Sequence, residues 1–321
     1  MDPHMIAAAL MRLRYKVWGF GESIAMEALL RSGGAPADFA AQLIRKWAHE
    51  HPPLATNPLS HVAPGVPLLM EADRTGEPAL LRRALELGTL HAHLKTGRHG
   101  ARIHRPDLAG WENEVWVDNM HLTGPFLARL GAATGDASWY DLAADLLLSH
   151  ARVLQDDASG LFSHGFNDAT GEANRVFWGR GQGWALLGLT DTLAWLPPAH
   201  AARREIGERL GILADALTRA ETGPGLWRTV VDHPETYIES SVGAFVALGV
   251  GEAVARGQVD ARHRQMAERA RDRLAGFFNA AGEFTGTSDA TPVGVDVAHY
   301  GARPLGVFAW GQAPALLALL A

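Results

Sequence analysis

Apolar and polar positions follow two rhythms along this chain. In residues 78–96, Leu80, Leu81, Ala84, Leu87 and Leu90 recur at helical rather than strand spacing. Residues 137–154 behave similarly through Trp139, Leu142, Ala143, Leu146, Leu147 and Val153, as do 199–220 and 260–278, which carry Arg and Glu on the opposite side. These four segments are predicted to be amphipathic outer helices with one wet face. By contrast, 184–196 and 242–250 are apolar on nearly all sides, as helices buried all round must be, and their Gly and Ala content permits close helix approach. Extending both rhythms predicts helices over 6–14, 20–32, 36–50, 64–74, 78–96, 118–134, 137–155, 180–195, 199–220, 239–256, 260–278 and 303–320. Outer helices alternating with inner ones describe an all-α, double-layered ring of six hairpins, closed by pairing the first helix with the last. Strand content is expected to be minor, in loop pieces such as Trp227–Val231.

The connections carry a second pattern. Long loops rich in aromatic residues and His lead into apolar stretches beginning near Phe20, Pro64, Asp118, Arg180, Glu239 and Arg303. Tight links such as Thr75-Gly76-Glu77, Thr134-Gly135-Asp136 and Pro197-Pro198 fall between them. With consecutive helices antiparallel, all long loops gather at one end of the ring. Loops on a rigid scaffold are where chemistry usually sits, so the layout predicts one concave site.

Composition narrows the classes. At 321 residues two domains would be the simple count, yet no Pro/Ser/Gly-rich linker divides the chain, so a single domain over 1–321 is expected. With 47% hydrophobic and 20% charged residues a large core is available, and a net charge of −6 without a basic stripe argues against nucleic acid as a partner. The absence of Cys excludes disulfides and thiol catalysis and suits a reducing compartment. The apolar run Met5–Met11 precedes Arg12, Arg14 and Lys16, the reverse of a secretory leader, and no window of about 18 apolar residues offers a membrane span. A cytoplasmic protein without a membrane partner is expected; the oligomeric state is left open.

Candidate chemistry lies at the loop ends. Asp118, in Trp116-Val-Asp-Asn-Met, could cap a helix through its carboxylate, or sit at the ring mouth beside Trp116 as a general acid. His164, in Ser-His-Gly-Phe, is either a packed loop histidine or a ligand contact. The stretch Trp178-Gly-Arg-Gly-Gln-Gly-Trp lacks the Gly-Lys-Ser/Thr and preceding strand of a phosphate loop. Its Arg180 and Trp184, four apart, suit a carboxylate and a sugar face, or else a salt bridge beside a core Trp. Lesser candidates are Trp18, Phe20, Glu22, Ser60, His61, His104 and Glu239. His49/His51 and His91/His93 lack a carboxylate at ligand spacing, so no metal site is expected.

Taken together, Trp116-Val-Asp-Asn-Met, Leu161-Phe-Ser-His-Gly-Phe-Asn-Asp, Trp178-Gly-Arg-Gly-Gln-Gly-Trp and Tyr237-Ile-Glu-Ser-Ser resemble, in that order, the unsaturated uronyl hydrolases of glycoside hydrolase families 88 and 105, with family 105 the closer. The resemblance spans roughly Trp18 to the C-terminus and implies an (α/α)6 barrel, which agrees with the twelve-helix count. It implies Asp118 as catalytic acid, His164 as a substrate contact, Arg180 and Trp184 as holders of the unsaturated uronate, and an aromatic at Trp18 or Phe20. His104 would match a further contact histidine, at a spacing that fits less well. Its substrate would be a small oligosaccharide, a pectin-derived unsaturated galacturonyl-rhamnose foremost, with no metal or organic cofactor. In Leu59-Ser60-His61-Val62-Ala63-Pro64-Gly65, Ser60 stands where the family usually has a second Asp. Either Glu22 or Glu239 replaces that carboxylate, or the activity is altered or lost, while Ser60 can still hydrogen-bond a sugar hydroxyl. An unsaturated glucuronyl hydrolase, a saturated-uronide glycosidase and a non-catalytic sugar-binding relative stay open as alternatives.

Overall fold

The computed structural model describes residues 2–15, 20–50 and 65–321. Six inner helices form a closed ring: α2 (Phe20–Ser32), α4 (Gly65–Thr75), α6 (Asn119–Thr134), α8 (Gly179–Trp195), α10 (Ser240–Ala255) and α13 (Ala309–Leu320). Each packs on the next, and α13 packs back on α2. Outside them lie α1 (Pro3–Met11), α3 (Gly34–Glu50), α5 (Pro78–Ala92), α7 (Ser138–Leu154), α9 (Arg203–Arg219) and α11 (Arg264–Leu274). The first helix α1 packs on the last, α13, as ring closure requires.

The two layers differ as their sequences dictate. Outer α9 buries Ile206, Leu210, Leu213, Ala214 and Leu217 on one face and leaves Arg204 and Glu208 wet. Inner α8 is buried from Gly179 to Thr190 without a break, and burying one Leu side chain in such a core stabilises by roughly 1.5–3 kcal/mol. Glycine sets the closest approach of this layer. A Cβ on Gly188 of α8 would lie 2.6 Å from the Met120 carbonyl of α6, so only a bare Cα fits there.

Because inner and outer helices alternate along the chain, all inner helices run in one direction. Their N-terminal ends, each reached by a longer connection, share one end of the ring. Three short strands tie two of those loops together: β1 (Glu114–Trp116) pairs antiparallel with β2 (Gly165–Asn167), and β2 with β3 (Glu172–Ala173). A second pair, β4 (Thr287–Ser288) with β5 (Leu305–Gly306), lies in the last long connection, which also holds the short helix α12 (Val297–Gly301). The expected strand at Trp227–Val231 is replaced by single bridges, Arg228 to Ile238 and Val230 to Trp178. The last inner helix starts at Ala309 rather than 303 because Leu305–Gly306 is drawn into the pairing with β4. No helix among the described residues is long and apolar enough to cross a membrane.

Candidate active site

Asp118 immediately precedes α6 but does not cap it: no backbone N–H of the first turn bonds its side chain. The register Trp116 opposite Gly165, continued by Val117 N–H donating to the His164 carbonyl at 3.0 Å, sets its carboxyl facing His164 instead. Asp118 Oδ2 and His164 Nε2 lie 3.4 Å apart, and neither atom has an aligned hydrogen bond elsewhere. The pair makes a long polar contact in a nearly closed place, Asp118 being 6% exposed and His164 fully buried. Catalytic hydrogen bonds are often long before substrate arrives.

Aromatic rings enclose this pair. The Trp116 ring stacks on His104 at 4.0 Å and 5°, meets His164 at 5.6 Å, and touches Trp111 at 4.5 Å. His104 Nδ1 lies 2.9 Å from the Asn119 amide oxygen, which requires Nδ1 to carry the proton. Burial pushes His104 down to about 4, against the opposing pull of Asn119 and Asp118. Burial likewise lowers His164 from its ordinary value, opposed by Asp118. Burial thus disfavours the cationic form of both imidazoles beside Asp118.

Arg180, expected either as a fork for a carboxylate or as a salt bridge beside a core Trp, is engaged with protein acceptors in this structure. Its guanidinium donates to Glu239 Oε1 (2.6 Å), Ser288 Oγ (2.6 Å), the Ser288 carbonyl (3.0 Å), the Asp289 carbonyl (2.9 Å) and Thr291 Oγ1 (3.2 Å). It also lies 4.4 Å over the Trp178 ring. A guanidinium has five N–H donors, and these bonds commit both terminal nitrogens. Trp184, expected to cover a sugar face, is fully buried, 5.2 Å from His121 and 4.6 Å from Phe245. In this structure both side chains are buried among protein partners. Glu239, weighed as a replacement acid, receives Arg180, Ser241 Oγ (2.6 Å) and Thr229 Oγ1 (2.9 Å) and is spoken for as well. Glu22 lies half-buried in the first turn of α2, at the site's end of the ring. Trp18, Ser60 and His61 lie outside the described residues, as does the side chain of Phe20. Among the described residues no group of three or more His, Asp or Glu side chains could hold a metal ion.

The sequence signature described as Glycosyl Hydrolase Family 88 matches residues 26–321. The chain belongs to that family. Among proteins similar to this family 88 chain, Unsaturated rhamnogalacturonyl hydrolase YesR of Bacillus subtilis is 29% identical over 215 residues, covering 64% of this chain and 61% of its own. The match thus spans about three fifths of that relative's length. A possible member of the GH105 family from Klebsiella pneumoniae superposes with a TM-score of 0.90 at 24% identity, covering 99% of this chain and 91% of its own. The unsaturated glucuronyl hydrolase of Bacillus sp. GL1 superposes with a TM-score of 0.72 at 18% identity, over 94% of this chain and 84% of its own. These solved structures establish that the family 88 chain has their (α/α)6 fold.

Sequence reasoning passed over several residues of this family 88 site. Asn119 sits inside a quoted motif, and its role needs only the proximity of His104. Tyr300 reaches His164 from 136 residues away, and Asn174, which holds Tyr300, lies 126 residues before it; no local spacing announces Tyr300.

Proposed function

We propose that this protein hydrolyses oligosaccharides ending in a Δ4,5-unsaturated uronic acid, with Asp118 as the acid. The observation that carries this reading is the Asp118 carboxyl: adjacent to a helix start yet unused as a cap, close to Trp116 and His104, and 3.4 Å from the buried His164 imidazole. Asp118 gives its proton to C4 of the C4=C5 bond. Water adds at C5 and returns a proton to the Asp118 carboxylate. The product at C5 is a hemiketal, which opens and releases the next sugar. One carboxyl is sufficient for this hydration, so the separation rule for paired glycosidase carboxylates does not govern it.

The substrate's charge suits the site's end of the ring. Six inner helices direct their N-termini there, and helix N-termini favour anions. Those dipoles are one source of positive potential for a uronate. Unsaturated galacturonyl-rhamnose from pectin is the foremost substrate on the strength of similarity to a rhamnogalacturonyl hydrolase.

The C=C chromophore gives the test. Lyase-generated oligosaccharides should lose their ultraviolet absorbance with the wild type and keep it with Asp118→Asn. A panel of galacturonyl-rhamnose and glucuronyl substrates ranks the preference. Turnover of saturated uronides alone, or binding with no loss of absorbance, would remove the reading.

A further inference from the structure

His164 is held from behind by a network whose donors and acceptors can be assigned one by one. Asn174 comes first. Its Oδ1 receives the backbone N–H groups of Gly165 and Val176, both at 3.3 Å. Its Nδ2 donates to the Gly294 carbonyl at 3.0 Å and to the Tyr300 hydroxyl oxygen at 3.1 Å. A carbonyl only accepts and a backbone N–H only donates, so the amide has one possible orientation.

Tyr300 comes next. Its hydroxyl oxygen accepts from Asn174 and also from the Gly294 N–H at 3.0 Å. Both lone pairs are then occupied, and only the phenolic proton is left to bond. The remaining neighbour is His164 Nδ1, at 2.7 Å. Tyr300 is fully buried, and burial raises its phenol above the ordinary value, so that proton is present at every working pH. Nδ1 of His164 must therefore be the bare acceptor, and the ring proton must sit on Nε2, the nitrogen 3.4 Å from Asp118 Oδ2.

We propose that Tyr300, fixed by Asn174 and Gly294, is a positioning residue that locks His164 as a neutral Nε2–H donor toward Asp118. The lock decides which group can hold the catalytic proton. With the proton on Nδ1 instead, a bare Nε2 would face the acid, and an imidazole lone pair is a stronger base than a carboxylate. His164 would then take the proton meant for C4. With Nε2–H in place His164 can only donate to Oδ2, and the acid's proton resides on Oδ1. A cationic His164 would need a second proton on Nδ1, where Tyr300 has no lone pair to receive it. The other charged or titratable groups that act on the ring are Asp118, which favours the cation, and Arg180 and His299, which oppose it; His104 also interacts with it. The catalytic consequence rests on the reading of Asp118 as the acid, whereas the tautomer does not.

Nitrogen-15 NMR of histidine-labelled enzyme reads the tautomer directly, with the His164 resonances assigned by their loss in His164→Gln. The wild type should show His164 as Nε2–H, with no titration across the range in which ordinary histidines ionise. In Tyr300→Phe the acceptor Nδ1 loses its donor, so His164 should take up a proton at higher pH and leave the pure Nε2–H form. The same variant should lose about 10- to 100-fold in kcat on unsaturated oligosaccharides, with KM within about 2-fold and the acidic limb of the pH–rate profile moved upward. A wild-type His164 found as Nδ1–H or as imidazolium overturns the proposal, as does a Tyr300→Phe protein whose His164 resonances and titration are unchanged. Should Tyr300→Phe fail to fold, the wild-type spectrum still decides. If the wild type is inactive on unsaturated substrates, the functional reading fails while the spectrum continues to judge the tautomer.

Discussion

Two acidic residues beside helix starts, Asp118 and Glu239, illustrate how much a single side chain's partners change its meaning. Each stands in the N-cap position and neither side chain caps. Glu239 forms a fully buried pair with Arg180 at 2.6 Å. Removing one member of such a pair strands the other charge, at a cost of about 3–5 kcal/mol, whereas replacing both is often nearly neutral. Arg180→Ala should therefore lower stability by about 3–5 kcal/mol in urea unfolding, and Arg180→Met with Glu239→Gln should recover most of it. A single variant that raises KM and leaves the unfolding midpoint in place would instead assign Arg180 to the substrate. Asp118→Asn makes the converse case. Asp118 makes no cap bond, and an amide of the same size fills its place. Its amide variant should unfold within about 0.5 kcal/mol of the wild type while losing turnover, and a clear drop in stability would return Asp118 to a structural role.

Helix identity was readable from apolar spacing because each inner helix must be apolar all round and each outer one on a single face. The predicted starts at Phe20, Pro64, Asp118, Arg180 and Glu239 fall within one residue of the observed inner helices. The last start was not readable. Arg303-Pro304 suits the start of a helix as a sequence, and it is the pairing of Leu305–Gly306 with Thr287–Ser288 that keeps residues 303–308 out of it. The site divides in the same way. Asp118 and His164 could be picked out because their residue types announce chemistry. The commitment of Arg180 could not, since its acceptors at Ser288, Asp289 and Thr291 lie more than a hundred residues on. Helix packing provides its own test. A methyl at Gly188 would strike the Met120 backbone of α6, two residues from Asp118, while a methyl at Gly207 in outer α9 would meet nothing within 4 Å. Gly188→Ala should cost at least about 1–3 kcal/mol by overpacking and reduce turnover by displacing the first turn of α6. Gly207→Ala should add about 0.4–1 kcal/mol and leave turnover unchanged. Equal thermal melts for the two variants would show that the close approach of α6 and α8 is not required.

At the end of the ring away from Asp118, the C-terminal turns of the inner helices are joined by charge. Arg31 of α2 reaches Glu27 and Glu252 at 3.0 Å each, and Arg256 reaches Glu252 at 3.0 Å and Asp191 of α8 at 3.3 Å. Read singly in the sequence, each of these residues is the wet tail of a helix; only ring closure makes them neighbours. The cluster has three carboxylates for two bridging guanidinia. Burial first, then Glu252 and Glu27, push Asp191 up to about 8, with Arg256 and Arg31 pulling the other way. A carboxyl whose folded pKa exceeds its unfolded one binds its proton more tightly in the native state. Its stabilising contribution is complete below the ordinary aspartate range near 3.9 and is lost as pH rises through about 8. Across that window the wild type should therefore lose stability that Asp191→Asn, which cannot ionise, retains. Melting temperatures of the two proteins should converge in acid and separate progressively toward alkaline pH, with the variant the more stable above about 8. A variant that melts lower than wild type by the same margin at every pH would mean that Asp191 is ionised throughout and that its bond to Arg256, rather than its proton, holds α8 to α10.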